Sequence, residues 1–356
     1  MILEPIGRKI SLLSGKVRQV DCALLKVIFI NTCFLIAIDL IFKNYTEQIS
    51  IDYYLYLSAL VNGVVVSLVV YFSYLFIICA IKKEPNPLKY IAYRYKDLLT
   101  LHRFIPACTF LCLFLLTSGL YTSLKVSIPI INSFSWDVAF TELDRYLHFG
   151  YDPWVLTHKL ASSPYATLVI NILYNLWFFV FWTFLVLLSF SESSTKYHAI
   201  LTFNLCWLVN GILFAILFSS AGPCFFLNLP DGDGTFTPLI DILSKQDEYL
   251  HSKGIEFGVA ALKVQDYIWN NYERGTMEIG AGISAFPSMH VSIATLMAIT
   301  CYEVNKKLGL LAWLYTFIIL FGSVHLGWHY AVDGYFSLVS TVLIWIIVKS
   351  IIKKAN

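Results

Sequence analysis

The sequence predicts an all-α integral membrane protein of about eight transmembrane helices, the last six forming one helical core. Its 356 residues are 58% hydrophobic and 13% charged, with a mean hydropathy of +0.69, a balance outside the range of soluble globular domains. Eight segments hold the roughly 20 mostly apolar residues that a crossing needs, at approximate positions 23–42, 55–81, 104–124, 165–190, 197–219, 287–304, 308–324 and 331–351. Basic residues collect in alternate connections, which sets the orientation.

Arg8, Lys9, Lys16 and Arg18 precede the first segment, and Lys82, Lys83, Lys89, Arg94, Lys96 and Arg103 crowd the second connection. Lys306 and Lys307, then Lys349, Lys353 and Lys354, continue the alternation. The positive-inside rule therefore puts both termini in the cytoplasm. Juxtamembrane charge is sufficient reason for these clusters, so no nucleic-acid partner is implied. Seven of the eight cysteines lie in or beside apolar segments, leaving Cys224 in an outside loop, which argues against a disulfide framework or a thiolate metal site.

Residues 1–103 read as two N-terminal helices and a basic loop, and 104–356 as the six-helix catalytic core. The first helix carries Asn31 and Asp39 and lacks a clean cleavage site, so it reads as retained. Between the third and fourth spans, residues 135–163 predict two interfacial helices. Ser135 is placed to cap the first, with Phe140, Leu143 and Leu147 on its apolar face and Gly150 ending it; Asp152 and Pro153 start the next. Asp144, Arg145, His148 and Asp152 form the polar face, available to a lipid headgroup or to water. The aromatics Tyr174, Trp177, Phe178, Phe179, Phe181 and Trp182 read as packing or interface belt rather than a binding box. In the longest outside segment, Asp231 to Gly234 reads as a turn and not a calcium loop, because Phe236 and Ile242 stand where a glycine and a glutamate are required.

The run from Leu308 to Val348 contains no Lys, Arg or Glu and a single carboxylate, Asp333, four residues after His329 and eight after His325. Ionisable groups inside apolar runs are costly and mark function by default. The run is long enough for two crossings that turn near Gly327 and Trp328, which brings His329 and Asp333 to the outer face. His290 opens the sixth span after Phe286-Pro287-Ser288-Met289 and shares that depth. An Asp four residues after a His fixes its tautomer and leaves the other ring nitrogen as nucleophile or base. A second histidine at an anion-binding helix start suits protonation of a leaving oxygen. The set favours phosphoryl transfer through a phosphohistidine.

Phe286-Pro287-Ser288-Met289-His290 resembles the Pro-Ser-Gly-His motif of the type 2 phosphatidic acid phosphatase superfamily, and His329-Tyr330-Ala331-Val332-Asp333 resembles its His-x-x-x-Asp motif. The resemblance implies His329 as nucleophile, His290 as general acid/base, Asp333 as orienting carboxylate and Ser288 as a phosphate ligand, with no metal or other cofactor and with phospholipid or sphingolipid substrates. The family's Ser-Arg before the nucleophilic histidine is Gly322-Ser323 here, and Lys96 with Arg103 matches the spacing of its earlier cation motif only on the cytoplasmic side. The branch that similarly lacks the arginine resembles inositol phosphorylceramide synthase; its relatives are similar also around Leu143-Asp144-Arg145, Gly150 to Trp154 and Ala221-Gly222-Pro223. Arg274 and Lys263 are the outside cations that would meet phosphate in place of the arginine, and Asp144 joins them as a candidate headgroup contact. Two other readings remain open: a zinc site of His325, His329 and Asp333, and a non-enzymatic transporter or pH sensor.

Overall fold

The computed structural model describes residues 52–193 and 195–355, together with the isolated positions 33, 37 and 40. The expected first span, Asp39 included, lies outside the described residues. Every regular element among those described is helical.

Seven of the eight expected spans are present. α1 (Leu57–Lys82) is followed by a short basic helix, α2 (Pro87–Leu98), and by α3 (Leu101–Ile131). Two interfacial helices, α4 (Asp137–Leu147) and α5 (Pro153–Leu160), lead to α6 (Pro164–Asn175) and α7 (Trp177–Ser189), which together make one crossing bent at Leu176. α8 (Thr195–Leu208) continues through a π-helical turn at Val209–Phe214 to Leu217. Two polar helices, α9 (Thr237–Ser252) and α10 (Ala260–Arg274), follow, then α11 (Met289–Val304), α12 (Lys306–His325) and α13 (Ala331–Ala355). Six of these crossings are long and apolar enough to span by themselves, and α11 is a shorter apolar helix.

α11 is the axis of the bundle, packed against α12, α13 and α8, and its residues from Val291 to Ala298 are all buried. Apolar side chains gain little from leaving lipid for protein, so polar contacts and close packing must hold such helices together. Asn210 in the π turn of α8 donates to Ser292 Oγ at 3.1 Å, and Ser292 shares a 2.7 Å bond with Thr341 of α13. Thr316 of α12 donates to the Ala294 carbonyl at 2.9 Å. α1 lies at the periphery, its Gly63 against Trp182 of α7, while Val61, Val65 and Val69 face outward.

The start of the interfacial pair differs from expectation. Ser135 does not cap α4: its backbone N–H bonds Ser219 O, and the helix begins at Asp137. α4 also faces the opposite way from a simple amphipathic reading. Asp137, Phe140, Thr141 and Asp144 are buried, whereas Leu143, Tyr146 and Leu147 are exposed. Gly150 ends the turn at φ 88° as expected, and Asp152 precedes α5 with its carboxylate committed to Arg145.

Candidate active site

The turn between α12 and α13 carries His329. It is buried by close packing rather than by length: Gly327 adopts φ +76°, and the N–H groups of Trp328 and His329 both bond Ser323 O, at 2.9 and 3.2 Å. The loop at Ala221–Cys224 lies against this turn, with Cys224 N–H donating to Gly327 O at 2.9 Å. Gly222 permits that approach. It sits at φ +100°, and a Cβ there would stand 2.8 Å from the Trp328 carbonyl oxygen.

His329 Nδ1 faces two acceptors, the Ala285 carbonyl at 2.8 Å and Asp333 Oδ2 at 3.3 Å. A carbonyl oxygen cannot donate, so Nδ1 carries the proton and Nε2 keeps its lone pair. Burial holds the His329 imidazole down at about 4; the Ala285 bond works against this, and the charge of Lys125 works with it. Burial thus favours the neutral ring, with Nε2 unprotonated. Asp333 is fully buried, accepts Tyr330 N–H at 3.0 Å, and leaves Oδ1 without a partner among the described residues.

His290, on the first turn of α11, lies with its ring centroid 6.4 Å from that of His329. Tyr174 stacks on it at 5.0 Å, Trp177 lies at 4.3 Å and Phe178 at 5.7 Å. Trp177 Nε1 also donates to the His290 carbonyl at 3.1 Å. The break at Leu176 sets these rings around the imidazole, so three of the six aromatics read as packing form a cage. Phe181 and Trp182 are core and Phe179 is exposed. His290 Nε2 is buried with no partner among the described residues, a costly state unless a ligand supplies one. Ser288, the N-cap of α11, is fully buried and accepts from Val291 N–H at 3.5 Å, while its own N–H donates to Asp333 O at 3.3 Å.

The other candidates fall elsewhere. Asp144 lines one cavity with His329, but its carboxylate is committed to backbone: Oδ2 accepts Ala331 N–H at 2.7 Å and Oδ1 accepts Val332 N–H at 3.0 Å, so it caps α13. Lys263 and Arg274 are exposed on α10. Gln265 of the same helix points inward and donates to Leu326 O at 2.9 Å; at about 100° per residue, Lys263 and Arg274 stand on the far side of the helix. A different cation, Lys125 of α3, is close enough to act on the two histidines. Its charge acts on both His290 and His329, and it makes no ion pair or hydrogen bond with the described residues. The signal was available in the sequence: apart from His102 and Arg103 at the start, Lys125 is the one cationic residue in α3. Arg103 lies roughly 33 Å away along that helix and is paired with Asp97 and Glu192, which leaves the Lys96–Arg103 spacing unrelated to the site.

His325 is separate from the set. It stacks on His158 with centroids 3.8 Å apart, bonds Thr167 through Nε2 at 2.9 Å, and accepts His158 Nε2–H on its carbonyl at 3.0 Å. A zinc site with His329 finds no support there, and no cluster of three metal-ligating side chains occurs among the described residues.

A helical membrane core thus brings His290, His329 and Asp333 together, an arrangement compatible with a lipid enzyme of the phosphatase or phosphotransferase type. The PAP2 superfamily pattern matches residues 138–347, more than half of the chain, and the protein belongs to that superfamily. No curated protein and no solved structure matches it. The match begins within α4 and so leaves out α3, the helix that brings Lys125.

Proposed function

We propose that the protein transfers a phospho-headgroup between membrane lipids through a phosphohistidine, at the outer or lumenal end of the bundle with both termini cytoplasmic. The observation that carries this reading is the commitment of His329 Nδ1 to Ala285 and Asp333 while His290 stands 6.4 Å away, centroid to centroid. His329 Nε2 attacks phosphorus, a P–N bond forms as the bond from phosphorus to the lipid oxygen breaks, and His290, entering the step as the imidazolium, gives that oxygen its proton and becomes neutral. In the second half, His290 takes the proton of an acceptor hydroxyl as its oxygen attacks phosphorus and the P–N bond breaks, restoring neutral His329. Asp333 offsets the positive charge that His329 acquires in between. Lys125, with the N-terminus of α11 and Ser288, meets the charge of the phosphate. The carbanion, redox and metal-centred chemistries have no role in this sequence of bond changes.

The acceptor decides between transferase and phosphatase. The experiment is to incubate purified protein with labelled phospholipids, with and without a hydroxyl-bearing lipid. Label appearing on the added lipid supports transfer, and label released only as water-soluble phosphate makes the protein a phosphatase. Full turnover by folded, inserted His329→Ala and His290→Ala proteins would end the phosphohistidine reading.

A further inference from the structure

Three carboxylates are buried around the catalytic turn, and the proposed chemistry uses one of them. The other two, Asp137 and Asp144, stand seven residues apart on one face of α4 and are 2% and 3% exposed. Asp137 accepts Ala221 N–H through both oxygens, at 3.0 and 2.9 Å, Gly222 N–H at 2.8 Å and the Tyr330 hydroxyl at 2.9 Å. Asp144 accepts the N–H groups of Ala331 and Val332. Neither forms an ion pair with Lys or Arg among the described residues.

A helix start needs acceptors for its free N–H groups, and Ser, Thr or Asn on the spot would serve. A buried carboxylate without a cation is a costly substitute, because desolvation opposes its charge. What it gives in return is two acceptor oxygens on one rigid group, which hold two or more N–H groups in a fixed geometry. The targets show where that stiffness is spent. Tyr330, Ala331 and Val332 are the three residues between His329 and Asp333, and Ala221 and Gly222 belong to the loop that backs the same turn.

Resting on the phosphohistidine reading, we infer that Asp137 and Asp144 are positioning residues, a two-point clamp from α4 that fixes His329 and Asp333 in the alignment needed for attack on phosphorus. A displacement of about 1 Å at a nucleophile is enough to cost a hundredfold in rate. Loss of an outer partner that orients a reacting side chain costs about 10- to 100-fold.

The test measures kcat and KM per folded molecule in mixed micelles, with folded protein counted by size exclusion. Asp144→Asn keeps one acceptor and turns an N–H toward another N–H. It is expected to lower kcat about 10- to 100-fold while KM stays within about threefold, since binding is not what the clamp serves. Tyr330→Phe removes one hydroxyl bond from Asp137 and is expected to lower kcat about fivefold, the value of one net hydrogen bond. A parent kcat per folded molecule in Asp144→Asn, or a loss of activity that only tracks loss of folded protein, would overturn the inference. Should Asp144→Asn not fold, Tyr330→Phe decides alone, and parent kcat there overturns it equally. His329→Ala runs beside them: turnover in that variant defeats the phosphohistidine reading itself, whereas an inactive His329→Ala with unaltered clamp variants defeats only the clamp.

Discussion

Replacing Asp333 by asparagine separates two jobs that an orienting carboxylate usually performs together. In serine proteases the equivalent exchange costs about 10⁴ in kcat because the amide stabilises the wrong imidazole tautomer. Here the tautomer has independent support. Tyr330 N–H points at the Oδ2 position from 3.0 Å, so the asparagine must place its carbonyl oxygen there, which still accepts from His329 Nδ1–H; Ala285 O accepts the same proton at 2.8 Å. Asp333→Asn thus removes charge and leaves the hydrogen-bond pattern. A unit charge 3.3 Å from the ring is worth about 5 kcal/mol at an effective dielectric of 20, and the difference between a charged and a neutral hydrogen bond is about 1–2 kcal/mol. The expected loss lies between these, about 3–4 kcal/mol or a few hundredfold in kcat. The assay is headgroup transfer or phosphate release in mixed micelles, for Asp333→Asn and Asp333→Ala together. A loss of 10⁴ or more in the asparagine protein would show that Ala285 and Tyr330 do not hold the tautomer. Unchanged activity would show that the carboxylate charge is not used.

Lys125→Met keeps the aliphatic stem and removes the charge that faces both histidines, so kcat/KM should fall about 10- to 100-fold, the worth of one charged hydrogen bond to phosphate; a change under about twofold removes Lys125 from the site. The pair Lys263→Ala and Arg274→Ala, exposed on α10, should leave kcat/KM within about twofold in the same assay, and a tenfold loss would return them to the site. Burial holds the Asp144 carboxyl up at about 7, against the pull of Ala331 and Val332 N–H. Because that value is raised above the unfolded one, the folded protein holds this proton more tightly, and stability from it is lost as pH rises from about 4 to about 7. The melting temperature of parent minus that of Asp144→Asn should therefore fall across that window, and a flat difference refutes the assignment. Phe149, 95% exposed at φ +59° beside the exposed Tyr146, should meet the lipid leaflet; benzoylphenylalanine at position 149 should photolabel lipid in nanodiscs, and labelling of protein alone would contradict it.

Fold class and the clustering of His329 with Asp333 were legible because both are written in short-range pattern. Apolar length gives the spans, and His329 with Asp333 announces itself as titratable groups inside an apolar run. What was not legible depends on rotation and on long-range pairing. Asp144 reads as a polar surface residue on α4 until α13 is known to start against it, since its partners Ala331 and Val332 are nearly two hundred residues away and are backbone N–H groups without any side-chain signature. Tyr174 and Trp177 read as belt aromatics because the ring they meet, His290, lies more than a hundred residues further along the chain. Lys263 and Arg274 were the natural cations by topology, being in the longest outer segment. The choice between them and Lys125 rests on which face α10 buries, and Gln265, not either cation, faces the turn.

The change of cation bears on the substrate. Gly322 and Ser323 stand where the superfamily's arginine is expected, and both are buried, so no guanidinium enters there. Lys125 brings one positive charge to the histidines, and Asp333 beside them is a buried carboxylate. A phosphomonoester is largely a dianion at neutral pH, because its second proton leaves near pH 6, whereas a phosphodiester carries a single charge. One lysine and a helix N-terminus offset one charge well and two poorly in a site from which water is excluded. On the proposed reading this favours a diester such as a phospholipid headgroup over a lipid monophosphate. Competition between the two classes for one enzyme preparation decides the point: at equal concentration the diester should be turned over at least about tenfold faster, and preference for the monoester would mean that a second cation reaches the phosphate.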